Sequence, residues 1–140
     1  MINSEYGAVS AYMGDMDVSM PFRFTTNELR KYDKCAGYVY TELQDIEWEK
    51  NGIYRYDRSR KEFGYDVSAI NSLDYIVLDC PPARKVKPGE KLRIPTKLSL
   101  YSGKVPEKVE LTWEIEGTDC YGNSFNTDST SRVIEVEHRK

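Results

Sequence analysis

The glutamate in the run Asn3-Ser4-Glu5-Tyr6-Gly7 is the side chain best placed for chemistry in this sequence. It ends a short extended segment and is followed at once by Tyr-Gly. That placement suits a catalytic carboxylate at the mouth of a barrel, where strand ends carry the reacting groups. More carboxylates follow at Glu42, Asp45, Glu47 and Glu49, with a small basic cluster at Arg58, Arg60 and Lys61. The cluster reads either as a solvated surface or as salt-bridge partners of those acids. Asp119, Asn123, Asn126 and Asp128 bring oxygen ligands close together, but not at the twelve-residue spacing of an EF-hand. That stretch reads as a turn, and no metal or other cofactor is expected. Cys35, Cys80 and Cys120 have no metal-like spacing and read as buried or idle thiols.

The elements that must position these groups are partly visible. Thr25-Thr26-Asn27-Glu28 has the form of a capping box. Leu29, Tyr32 and Ala36 then recur at helical spacing up to Gly37, so a helix is expected over 26–36. Tyr38-Val39-Tyr40-Thr41 reads as a strand. A helix leading straight into a strand is the local grammar of an α/β barrel. Met13, Met16 and Met20 have the spacing of a short apolar face. Asn51-Gly52 is a strong turn signal.

The character of the chain changes near residue 67. Tyr75-Ile76-Val77-Leu78 forms an apolar stretch that Pro81-Pro82 breaks. Leu92, Ile94, Leu98 and Leu100 follow at even positions. Val109, Leu111, Trp113 and Ile115 alternate with polar residues as a clear strand, with Trp113 expected in a core. Gly117 to Asp128 reads as polar loop, and Val133 to Val136 as a last strand. Four or five strands are expected here, fewer than the roughly seven of an immunoglobulin-like sandwich.

Composition narrows the function. A net charge of −3 gives no footprint for nucleic acid. No run of apolar residues is long enough for a membrane helix, and the N-terminus lacks the pattern of a signal peptide. Compartment stays unassigned. The eleven tyrosines would suit stacking on sugar rings, yet tyrosine is equally a strand and core residue, so position has to decide.

Four blocks stand in order: Ser4-Glu5-Tyr6-Gly7, Tyr38-Val39-Tyr40-Thr41-Glu42-Leu43-Gln44-Asp45-Ile46-Glu47, Asn51-Gly52-Ile53-Tyr54, and Tyr56-Asp57-Arg58 with Lys61. Together they resemble the last part of the catalytic barrel of glycoside hydrolase family 2, the family of β-galactosidases, β-glucuronidases and β-mannosidases. The resemblance implies an α+β arrangement: residues 1–68 as the last two βα units of a (β/α)8 TIM barrel, and 69–140 as an immunoglobulin-like β-sandwich. It implies that Glu5 is the nucleophile of a retaining β-glycosidase, at the end of barrel strand seven. It also implies substrate contacts from Tyr6, Tyr40, Glu42, Trp48 and Lys61 around strand eight.

Glucuronidases of the family carry an Asn-x-Lys signature before the glycine of that turn. Here Glu49-Lys50-Asn51 stands there, so a neutral β-linked sugar such as a β-galactoside is expected in place of a uronic acid. The family's acid/base glutamate comes from strand four, which this chain does not contain. The sequence therefore reads as the tail of a larger hydrolase. Its expected partners are a carbohydrate substrate and the remaining domains of that hydrolase, and the chain alone is expected to be inactive. The alternative is a module without chemistry, which binds carbohydrate or only packs on a neighbouring domain.

Overall fold

The computed structural model describes residues 1–9 and 14–136. Those residues form a mixed α/β structure with two helices and eight short strands. They divide into two compact units that meet at Ser102 and Gly103.

In the first unit, β1 (Ile2–Tyr6) and β2 (Gly37–Tyr40) pair in parallel. Parallel neighbours need a crossover between them, and α1 (Ser19–Arg30) lies on that connection. The helix begins well before the capping-box threonines. The Asp17 carboxylate accepts from the Ser19 amide at 2.8 Å, and Pro21 sits in the first turn, where its missing N–H is harmless. The helix also ends earlier than the expected 26–36. Lys31 and Tyr32 donate to carbonyls three residues back, a tightening typical of a helix end. Gly37 opens β2 and does not cap the helix.

The inward stripe of α1 holds Phe22, Thr26, Asn27 and Arg30. Three of these are polar, so each must find a partner. Thr26 shares a 2.6 Å hydrogen bond with the Tyr6 hydroxyl. Asn27 donates to the Leu78 carbonyl and accepts from the Leu78 amide. The Arg30 guanidinium donates to the carbonyls of Ser72, Leu73 and Ser99 and lies over the rings of Tyr75 and Tyr101. A buried cation is stabilised here by oriented carbonyls and ring faces. Met16 and Met20 are both substantially exposed and form no buried face; Met13 lies outside the described residues.

The core packs Val18, Phe22, Phe63, Val67 and Ile70 together. Phe22 meets Tyr40 and Phe63 edge-on, at 4.7 and 5.9 Å between ring centres, a favoured aromatic geometry. Val67 and Ile70 come from the one-turn helix α2 (Val67–Ile70), capped by Asp66 on the Ser68 amide. After it, β3 (Asp74–Leu78) pairs antiparallel with β4 (Thr96–Leu100). Leu92 and Ile94, expected in a strand, lie before β4 in an irregular exposed stretch.

The second unit contains two antiparallel pairs. β5 (Lys108–Trp113) runs against β8 (Thr130–Glu135). β6 (Glu116–Thr118) and β7 (Ser124–Asn126) form a hairpin inside the stretch expected to be loop. Register puts Val109, Leu111, Trp113 and Ile134 on one face of the β5–β8 ribbon. No described residue of this unit is buried. Trp113 is 45% exposed, against the expectation of a core position. A two-stranded ribbon has no second layer to cover it.

Candidate functional site

The ends of β1 and β2 bring most of the expected site residues into one region. The register of the pair slips between Asn3 and Tyr6, so that β1 carries one extra residue beside β2. Glu5 lies in this slip, exposed, with its amide donating to the Asn3 side chain at 3.2 Å. Bulges of this kind redirect a side chain out of the ladder and recur beside active sites.

Tyr6 and Tyr40 face the aromatic core rather than open solvent. Their rings meet edge-on at 5.2 Å. Burial pushes the Tyr6 hydroxyl up to about 12 and raises that of Tyr40 as well. The Tyr40 hydroxyl donates to the Asn51 carbonyl. Both phenols therefore stay neutral and act as hydrogen-bonding and packing groups.

Glu42 follows β2 and is buried. Its Oε1 has no hydrogen-bond partner among the described residues. Loss of water raises its pKa above the ordinary carboxylate value, and the nearby charges of Glu49 and Asp45 push it the same way. Such a carboxyl keeps its proton to higher pH than an exposed one, and while protonated it can donate a hydrogen bond.

Lys61 and Asp45 form a buried ion pair, with Nζ to Oδ1 at 2.8 Å. Of the two readings of the basic cluster, the salt bridge holds for Lys61, while Arg58 and Arg60 are exposed. The lysine also donates to the Lys50 carbonyl, and the same Asp45 oxygen accepts from the Gly52 amide, each at 2.8 Å. Lys61 thus holds the loop, with the exposed Asp15 carboxylate 4.0 Å from its Nζ as a second, looser partner. Trp48 stands apart at the tip of that loop, 61% exposed. The tip is the Ile46–Glu49 turn, in which the two residues bond each other's backbone and Glu47 has φ 52°.

Asn51-Gly52 is therefore not the turn its sequence suggests. Asn51 is buried and accepts from the Val9 amide through its side chain at 2.9 Å. With the Tyr40 bond, it ties the segment after β1 to the end of β2. A Cβ on Gly52 would lie 2.3 Å from the Asp45 amide nitrogen and 2.5 Å from the Tyr54 carbonyl oxygen, so only glycine fits. Reading the pair as a turn hid this role. The nearby signal was the acid–base complement of Asp45 and Lys61.

Among the described residues no group of three or more His, Cys, Asp or Glu could hold a metal ion. Asp119 instead folds its carboxylate onto the amides of Tyr121 and Asn123 and shapes the β6–β7 turn. No helix of the described residues is long and apolar enough to cross a membrane. No protein-family model, no curated protein and no solved structure matches this chain.

Proposed function

We propose that this chain supplies the nucleophile strand and the closing strand of a retaining β-glycosidase of the family 2 kind, acting on a neutral β-linked sugar. The observation that carries the reading is Glu5, an exposed carboxylate on a bulge at the C-terminal end of a strand whose parallel neighbour is followed, two residues on, by the buried Glu42. In TIM-barrel enzymes reacting groups stand at that end of the strands. A βαβ unit with short strands agrees with two neighbouring strands of such a barrel. The fragment from 69 onward would then be the sandwich that follows it.

In this reading the Glu5 carboxylate attacks the anomeric carbon and the leaving oxygen departs with a proton. Water then cleaves the glycosyl ester. A second carboxyl group about 5–5.5 Å away gives and takes that proton. The family resemblance assigns it to a strand outside this chain. Tyr6 and Tyr40 pack behind the strand ends that carry Glu5 and lead to Glu42, and the Asp45–Lys61 pair keeps the loop after β2 in place. Trp48 offers an exposed ring for sugar stacking.

The test uses the native polypeptide, isolated from source cells with an antibody against residues 69–140. We expect it to be far larger than this chain and to hydrolyse aryl β-galactosides. A 2-deoxy-2-fluoro-β-galactoside should leave a covalent sugar on Glu5, and Glu5→Gln should abolish both labelling and turnover. A native protein of this length, with no label on Glu5, overturns the reading.

A second reading, a packing or carbohydrate-binding module without chemistry, draws on the β5–β8 ribbon. Its apolar face is uncovered within its own unit, as expected of a surface made to lie against another domain. Retention of the chain on immobilised glycans, without turnover, would favour it.

A further inference from the structure

The outer side of α1 faces a groove of about 410 Å³ that plays no part in the proposed chemistry. Met20 and Phe24 of α1 form one wall. The irregular stretch between β3 and β4 forms the other, through Pro82, Val86, Leu92 and Ile94. Val86, Leu92 and Ile94 are all about half exposed, so apolar surface stays wet along the trough. Exposed apolar surface with a charged rim marks an interaction site.

The rim is basic. Between residues 80 and 94 stand Arg84, Lys85, Lys87, Lys91 and Arg93 against the single acid Glu90. The chain as a whole carries −3, so this short stretch opposes the charge of the rest. All five cations are exposed, and none pairs with a carboxylate among the described residues. Glu90 turns onto its own backbone, accepting from the Lys87 amide. Arg23 adds a further cation from the helix wall.

We propose that this groove docks an acidic, amphipathic stretch of a partner polypeptide. Its apolar side chains fill the trough and its carboxylates meet the rim. Charge complementarity selects the acidic partner. The concave, carbon-lined trough selects a polypeptide over an anionic membrane, which would call for protruding apolar side chains. Among the described residues Phe24 is the only aromatic one lining the trough, so it offers no series of stacking platforms for nucleic acid bases. Docking goes through side chains. The Leu78 amide and carbonyl at the groove edge are both taken by Asn27, which closes that edge to strand addition.

The probe is a synthetic peptide in which glutamate alternates with leucine and phenylalanine, added to the 140-residue chain. We expect saturable binding that weakens as salt rises. Two surface variants, R84E/K91E and L92S/I94S, should each weaken it about tenfold while their thermal melts match the parent. Cys80 lines the groove and Cys120 is exposed elsewhere. Bound peptide should slow alkylation of Cys80 and leave Cys120 unchanged. Equal binding of a peptide with serine in place of its leucines and phenylalanines overturns the proposal. So does tighter binding of heparin or phosphatidylserine vesicles, or unaltered alkylation of Cys80.

Discussion

Glu42 is a carboxylate held out of water with one oxygen unpartnered, and its energetic effect follows from that. Its pKa in the folded chain lies above the ordinary value of 4.5. The folded state therefore holds the proton more tightly than the unfolded state in the range above that value. Stability contributed by this group falls as pH rises through that range and is unaffected below it. Glu42→Gln removes the dependence. In urea titrations the variant should match the parent near pH 4 and exceed it at pH 7. Lys61 makes the opposite case. Its partner Asp45 is 2% exposed, and removing the cation strands a buried anion. Lys61→Met should cost about 3–5 kcal/mol in the same titrations, and adding Asp45→Asn should recover much of the loss.

At the scale of elements, the loop after β2 is set by close backbone approach rather than by turn chemistry. Gly52→Ala has no room among backbone atoms and should destabilise the chain by about 3 kcal/mol. Gly37→Ala meets nothing within 4 Å and should be close to neutral, which thermal melts of the two variants would separate. The same contrast explains what the sequence disclosed. The two short strands were visible, one as an extended segment ending at Glu5 and the other as a β-rich run ending at Thr41, and β5 was visible by alternation. The start of α1 was not, because the Thr25–Glu28 pattern imitates a cap while Thr26 serves as a buried partner of Tyr6. The Asp45–Lys61 pair was one of two open readings, since sequence spacing alone does not say whether charges meet. Asn51 was missed as a tie because Asn-Gly carries so strong a turn signal. The groove was missed because its walls are far apart in sequence.

Across the whole molecule, burial is unevenly shared. Among the described residues every buried hydrophobic one lies from Tyr6 to Val77, and the second unit buries none. Local opening should therefore be far easier there. Hydrogen exchange should protect the amides of α1 and β1–β2 most strongly, while those of β5–β8 exchange close to the rate of an open chain. The tie at Asn51 also bears on how the protein ages. Asparagine before glycine is the usual place where chains lose ammonia over time, as the next amide nitrogen attacks the side-chain carbonyl. Here the Gly52 amide is committed to Asp45 and the Asn51 side-chain oxygen to Val9, so the attacking atom and its target are both tethered. On long storage the folded chain should keep its amide at Asn51, and mass spectrometry should find the one-dalton gain there only after the chain is unfolded.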